Sequence, residues 1–216
     1  MRYLCVVVLL CLFPLFHVKA QDSIPYLGDF RLYEGLYINY QDLRFNWPIP
    51  KEKIITDINK DQLDFYSKLL ENEEIKYYER DSSVRKIKTS SIFGYCQNNF
   101  VFINYENYFY RIPVFGNISY FLGTIEVRGN YTNMDPFMNA PMNSTAFKTR
   151  EFKQFLLDFY SGELSLFTIE KAEEYLKRDP EIYKEYDALS KKKKKDLISR
   201  YIRMYNDKHP VYFPKG

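Results

Sequence analysis

Cysteine and histidine are scarce in this chain of 216 residues, which contains 3 cysteines and 2 histidines. Cys5, Cys11 and His17 lie before residue 20, so only Cys96 and His209 remain beyond that point. A single cysteine cannot form an internal disulfide, and two ligands are too few for a structural zinc site built from cysteine and histidine. The sequence therefore predicts a fold that is stabilised by its hydrophobic core, with no metal and no other cofactor.

Common nucleotide-binding and catalytic motifs are also missing. The sequence has no P-loop, no GxGxxG segment after a strand and no HExxH helix. A Ser-His-Asp triad would have to use His209, which lies in the C-terminal tail. Chemistry by paired carboxylates remains open, but no two acidic residues are marked as an acid and a base, so catalytic residues stay unassigned.

The formal charge is small, because 31 Lys and Arg residues are opposed by 28 Asp and Glu residues. Such a balance provides no basic field for nucleic acid, and we predict no nucleic-acid partner. The exception is the lysine run Lys191–Lys195. It is interpreted as a solvated face or, alternatively, as a contact with anionic lipid or an acidic partner.

The N-terminus is typical of a secretory signal peptide that spans residues 1–20. Arg2 supplies positive charge, residues 6–16 are apolar, and small Ala20 precedes polar residues. The apolar run is shorter than the ~20 residues of a bilayer-spanning helix. We therefore expect cleavage after Ala20, a single mature domain over 21–216 without a transmembrane span, and a location in the periplasm, the cell envelope or the extracellular space. An uncleaved anchor and a lipoprotein modified at Cys11 are the alternatives.

Strand signals are densest between residues 75 and 127. The runs 75–80 and 84–87 predict a β-hairpin, and three further strand-sized runs over 92–113 are separated by Asn98-Asn99 and Glu106-Asn107. Asparagine tolerates the positive φ of two-residue turns. Such turns would pair Gln97 with Phe100 and Tyr105 with Tyr108, although Glu106 is unusual as a first turn residue and leaves a longer second loop open.

That register sorts the side chains between two faces, because alternate residues of a strand share a face. The predicted core face has no charge and comprises Ile92, Gly94, Cys96, Val101, Ile103, Tyr105, Tyr108, Tyr110 and Ile112. The second face is also aromatic, whereas a face in contact with water would be polar. Either the C-terminal helices cover it, or a ligand or partner does.

The chain is rich in aromatic residues, with 21 Tyr, 18 Phe and 1 Trp. These rings either pack the core or form a surface that binds a ligand. The same two interpretations apply to Trp47, which either plugs the core or stacks on a ligand. The predicted binding surface comprises Trp47, Phe93, Tyr95, Phe102, Phe109 and Arg111.

Helical patterns flank these strands. Apolar spacing predicts a helix within 57–72, and a surface loop is predicted over 128–146. From Lys148 onward the spacing of Phe152, Phe155, Leu156 and Phe159 predicts another helix. Helices are further predicted from the Thr168 cap, from Asp179-Pro180 and along Leu197–Tyr205. The expected architecture is α+β, with a mostly antiparallel sheet over about 75–127 packed against helices over about 150–208.

Short segments along the chain resemble an exported Bacteroidetes family, carried as a domain of unknown function. They are Gly35-Leu36-Tyr37, Asp42-Leu43, Phe93-Gly94-Tyr95-Cys96, Tyr110-Arg111-Ile112-Pro113-Val114 with Gly116, Arg178-Asp179-Pro180 and Tyr205-Asn206. The likeness spans most of residues 35–214, and its motifs are structural. It implies a bacterial periplasmic or envelope location and brings no activity or site residues.

Two functional hypotheses follow. The leading one is a non-enzymatic exported module that binds an envelope protein or a glycan. The rival is a hydrolase that acts on envelope glycans through two carboxylates, which requires an open cleft with two carboxyl groups ~5–10 Å apart.

Overall fold

The computed structural model describes residues 23–134 and 141–215. The predicted leader at 1–20 and its cleavage site lie outside the described residues. The fold class is α+β with antiparallel sheets and C-terminal helices, which confirms the prediction. None of the helices in the described ranges is long and apolar enough to cross a membrane.

Strands dominate the chain up to residue 166. They are β1 (Ser23–Pro25), β2 (Gly35–Tyr37), β3 (Ile54–Ile55), β4 (Glu74–Tyr78), β5 (Val84–Lys88), β6 (Gly94–Gln97), β7 (Phe100–Tyr105), β8 (Tyr108–Arg111), β9 (Ile118–Met134), β10 (Pro141–Asp158), β11 (Leu164–Leu166) and β12 (Tyr212–Pro214). The helices are α1 (Tyr40–Arg44), α2 (Phe65–Leu69), α3 (Ile169–Leu176), α4 (Pro180–Asp187) and α5 (Lys191–Lys208).

The strands form four antiparallel sheets. A four-stranded sheet has the order β2-β6-β7-β8, and two three-stranded sheets have the orders β3-β4-β5 and β11-β10-β9. Strands β1 and β12 pair separately and bring the start of the described chain to its end. The predicted hairpin of 75–87 is confirmed as β4 and β5.

Both tight turns of the four-stranded sheet have two residues. Asn98 and Asn99 have φ values of 51° and 63°, and Glu106 and Asn107 have values of 51° and 66°. Gln97 pairs with Phe100 and Tyr105 pairs with Tyr108, as predicted. The second turn accommodates Glu106 because Asn104 Oδ1 accepts a hydrogen bond from the Asn107 N–H at 3.0 Å.

The predicted core face of this sheet is buried, apart from its tyrosines. Ile92 is an exception to the predicted sorting, because it precedes β6 and packs with Tyr95 in the cluster of the opposite face. Cys96, Val101, Ile103 and Ile112 are at most 3 % exposed and belong to one cluster. Burial, with Glu34 nearby, raises the pKa of the Cys96 thiol to about 12, which keeps it protonated and unreactive. Tyr108 departs from the prediction, because it lies at the sheet margin and is 49 % exposed.

The second face is covered by a segment close to it in sequence and not by the C-terminal helices. Tyr95 is 4 % exposed and packs with Phe65, Tyr66 and Leu69 of α2, while Phe102 packs against the same cluster. The helix predicted over 57–72 is shorter than expected. Asn59 Oδ1 accepts a hydrogen bond from the Asp61 N–H, a local turn that competes with helix formation before α2.

Two predictions for 128–159 were wrong. Residues Ile118–Met134 pair with Pro141–Asp158, with one irregularity between Pro141 and Asn143. Strands therefore replace the predicted helix and the described parts of the predicted loop, whereas residues 135–140 of that loop lie outside the described residues. Phe155, Leu156 and Leu157 are all buried because both faces of β10 are covered there. Phe155 and Leu157 face the core of the four-stranded sheet, whereas Leu156 packs against helices. Because consecutive residues of this strand are buried, its apolar residues recur at the spacing that is typical of a helix.

The C-terminal helices begin at the predicted caps. Thr168 Oγ1 accepts a hydrogen bond from the Lys171 N–H, and Asp179 Oδ1 accepts from the N–H groups of Glu181 and Ile182. Helix α5 begins within the lysine run, where Lys194 pairs with Asp187 and Glu173. The buried stripe of α5 packs with Ile118 and Leu156 of the long hairpin. The C-terminal helical region therefore begins at residue 169 and not at about residue 150 as predicted.

Two buried carboxylates join these helices to their surroundings. Asp158, 1 % exposed, accepts hydrogen bonds from both terminal nitrogens of Arg178 at 2.7 and 2.8 Å. Burial alone raises the pKa of the Asp158 carboxyl, but the hydrogen bonds from Arg178, Ser161 and the Tyr160 N–H outweigh it and hold the pKa below its ordinary value. At Asp179, hydrogen bonds from Lys208, the Ile182 N–H and His209 likewise lower the pKa.

Candidate functional site

An open groove lies between the segment that follows β2 and the end of β4, and it has a volume of about 610 Å³. We call it the Trp47 groove. Its aromatic lining comprises Tyr33, Trp47, Tyr77 and Tyr78. Its polar lining comprises Glu34, Asn39, Asp42, Asn46, Lys53, Glu79 and Arg80. A concave, largely apolar surface with a few polar groups is typical of a ligand site.

The groove exists because the chain turns sharply after α1 and returns beside β2. Asn46 has a φ of 52°, and the following segment bonds to β2 through Leu36 and Ile49, with N···O distances of 2.9 and 2.8 Å. Gly35 permits this approach, because a Cβ there would lie 2.3 Å from the Ile49 carbonyl oxygen. The prolines on either side of Ile49 keep the segment extended.

Trp47 stands at the groove with 62 % of its surface exposed, so it does not plug the core. Its ring lies 6.1 Å from that of Phe45, and the Arg80 guanidinium carbon lies 5.0 Å from its centroid. Tyr33 and Tyr78 are also exposed, by 58 % and 46 %. Three large rings therefore remain in contact with water around one concavity.

Asn46 lies at the base of this arrangement and is only 5 % exposed. Its Oδ1 accepts hydrogen bonds from the Tyr33 N–H at 2.9 Å and the Tyr37 hydroxyl at 3.1 Å. Because a backbone N–H can only donate, the oxygen of the amide must face Tyr33. The Nδ2 group consequently points away from Tyr33 and has no hydrogen-bond acceptor among the residues that the structure describes.

The three carboxylates of the groove already have partners on the protein. Asp42 Oδ2 accepts hydrogen bonds from the N–H groups of Ile38 and Asn39 at 2.9 and 3.1 Å, which caps α1. Glu34 Oε1 accepts from the Asn98 N–H at 2.6 Å. Glu79 Oε1 lies 3.9 Å from Arg85 Nε. Each of these carboxylates is therefore engaged with its own segment or with a residue outside the groove.

The six residues of the predicted binding surface lie in separate places. Tyr95 stacks between Tyr66 and Phe102, with ring centroids 5.1 and 4.5 Å away, and Phe109 joins the same buried cluster. Phe93 is half-buried against Tyr40. Arg111 is exposed and lies over the Phe100 ring, with 3.5 Å between the guanidinium carbon and the ring centroid. Trp47 alone belongs to the groove.

Sequence reasoning did not identify the other groove residues. Tyr33 lies in a segment to which the sequence assigned no helix or strand, and Tyr77 and Tyr78 lie in a hairpin assigned no function. Two consecutive tyrosines near the end of an amphipathic strand place one ring on each face, which is a signal that one of them faces outward. Nothing in the sequence indicated that these segments would meet.

No group of three or more His, Cys, Asp or Glu side chains suited to a metal occurs within 23–134 and 141–215. His209 Nε2 instead forms a hydrogen bond with Asp179 Oδ2 at 2.6 Å. Cys96 is buried and lies far from His209 in the sequence. Comparisons of the chain with protein-family models, curated proteins and solved structures found no match. The functional argument therefore depends on the geometry of the groove.

Proposed function

We propose that this protein is a non-enzymatic exported binding module of the cell envelope or extracellular space, and that the Trp47 groove is its ligand site. The observation that carries the proposal is the 62 % exposure of the single tryptophan at the mouth of a cavity of about 610 Å³. Exposed aromatic rings that converge on one concavity mark an interaction site. The proposal that the protein is exported rests on the predicted signal peptide at residues 1–20.

The competing hypothesis is a glycan hydrolase with two catalytic carboxylates. Its acid and base would need free access to the bound substrate. In the groove, Asp42 accepts two backbone hydrogen bonds, and Glu34 accepts another. Glu79 has only an exposed ion pair with Arg85 at 3.9 Å. The groove therefore holds one carboxylate free of structural hydrogen bonds, whereas the hydrolase needs two, and this favours binding over hydrolysis.

Trp47 provides a direct test, because no other tryptophan contributes to the fluorescence of the chain. We expect at least one member of a panel of soluble peptides and oligosaccharides to change the Trp47 emission in a saturable titration. Calorimetry should then show that Trp47→Ala weakens binding of that ligand, whereas Phe152→Ala, which removes an exposed ring outside the groove, leaves binding unchanged.

A flat titration with every member of the panel would contradict the proposal. Incubation of any bound oligosaccharide with the protein, followed by chromatography, separates the two hypotheses. A binding module returns the oligosaccharide intact, whereas new reducing ends would favour the hydrolase.

A further inference from the structure

The amide nitrogen of Asn46 has no hydrogen-bond acceptor on the described part of the protein, although the residue itself lines the open groove. The side chain is 5 % exposed, and its Oδ1 is occupied by the Tyr33 N–H and the Tyr37 hydroxyl. Because Asn46 lines the groove, an acceptor on a bound molecule can reach the Nδ2 group.

The exposed rings define the shape of that molecule. Trp47, Tyr33 and Tyr78 offer flat aromatic faces, which carry negative charge above the ring plane. The C–H groups on one face of a sugar ring are weakly positive and flat enough to stack on an indole. A groove of about 610 Å³ lies within the size range of small-molecule sites and can hold a short oligosaccharide.

The charges of the lining favour a neutral ligand. Three carboxylates (Glu34, Asp42 and Glu79) are set against two cations (Lys53 and Arg80), a balance of 2 − 3 = −1. The lining therefore presents donors and acceptors together without a strong field of one sign. A hydroxyl group both donates and accepts hydrogen bonds, so a polyhydroxylated ring matches both kinds of lining group.

The backbone of the groove does not favour a peptide that binds as an added strand. Leu36 of β2 pairs with Tyr95 and Ile49, and Tyr77 of β4 pairs with Ile54 and Arg85, so neither of these two strands has a free edge at the groove. Strand addition requires a free sheet edge. A proline-rich peptide, which binds through aromatic side chains, is the competing ligand that an experiment must separate from a saccharide.

We infer that the Trp47 groove binds a neutral saccharide, with one sugar ring stacked on Trp47 and one ligand oxygen accepting a hydrogen bond from Asn46 Nδ2. This inference rests on the proposed function and names the ligand class of the same site.

The test uses the trisaccharides of glucose, mannose, galactose and N-acetylglucosamine, together with a proline-rich decapeptide. We expect at least one trisaccharide to change the Trp47 emission with a dissociation constant of about 1 mM or lower, and the peptide to have no effect. If only the peptide binds, the saccharide inference is overturned and the binding module stands. If none of the five probes binds, the saccharide inference is overturned. The wider panel of peptides and oligosaccharides then tests whether the protein is a binding module.

Asn46→Asp is the sharpest variant, because aspartate keeps an oxygen for Tyr33 and Tyr37 and replaces the amide donor with a second acceptor oxygen. The negative charge that it adds acts weakly on a neutral ligand. We expect about tenfold weaker binding of the trisaccharide in Asn46→Asp, the effect of about one lost hydrogen bond. Unchanged binding would overturn the role of Asn46. Tyr78→Ala, which removes an exposed ring, should weaken binding by a similar factor and keeps the test valid if Asn46→Asp does not fold.

Discussion

The Trp47 groove and the aromatic stack under α2 contain the same kind of side chain in opposite surroundings. Tyr66 of α2 stacks on Tyr95 of the sheet, which stacks in turn on Phe102, and Tyr66 is only 1 % exposed. Trp47 and Tyr33 keep more than half of their surface in water. The difference teaches that aromatic richness alone does not indicate function. A stack that another element covers contributes stability, whereas rings left around a concavity are available to a ligand.

Truncation should separate the two regions most clearly. Tyr66→Ala removes a buried ring from the stack and should lower the free energy of unfolding by about 3–5 kcal/mol. Trp47→Ala removes an exposed ring and should change it by about 0.5 kcal/mol or less. Urea unfolding followed by circular dichroism measures both. Similar losses of unfolding free energy in the two variants would contradict the distinction between the buried stack and the exposed groove.

The contrast between buried and exposed groups also applies to ion pairs. Arg178→Met leaves the buried Asp158 carboxylate without its bidentate partner and should destabilise the fold by about 3 kcal/mol. Lys148→Met breaks the exposed pair with Glu126 and should change stability by about 0.5 kcal/mol or less. Urea midpoints of the two variants compare the pairs directly, and equal shifts would contradict the assigned difference.

Acid should weaken the buried pairs in a defined pH range. The folded-state pKa values of Asp158 and Asp179 lie below the ordinary aspartate value of about 3.9. Their stabilisation is therefore fully present above about pH 5 and is lost as the pH falls through the folded-state values. Thermal unfolding at pH 7, pH 5 and pH 3 should show a clear drop only at the lowest pH. Asp158→Asn should show a smaller drop than the unaltered protein.

The smallest effect concerns a single hydroxyl within the stack. Tyr66 Oη is buried and has no hydrogen-bond partner among the described residues. Tyr66→Phe should leave stability unchanged or raise it by up to about 1 kcal/mol. Tyr37→Phe is the matched control, since the single O–H of Tyr37 has two acceptors within reach, Tyr33 O and Asn46 Oδ1, and its loss should lower stability by about 1 kcal/mol. Chemical denaturation distinguishes these opposite signs, and equal losses would indicate an unseen partner for Tyr66.

Resemblance to an exported Bacteroidetes family remains a prediction, as does export itself. Export can be examined by mass spectrometry of the protein from its native host. A mature chain that begins at Gln21 would support the leader and its cleavage after Ala20.

Local chemistry in the sequence determined the α+β class, the two-residue turns, the register of β6, β7 and β8, and the caps of α3 and α4. These features depend on neighbouring residues, because asparagine tolerates positive φ and Thr168 or Asp179 caps the helix that follows it. Only the tertiary structure decided that 148–158 forms a strand and that α2 covers the second sheet face. It also decided that Trp47 is exposed beside Asn46, since burial depends on segments that meet only after the chain has folded.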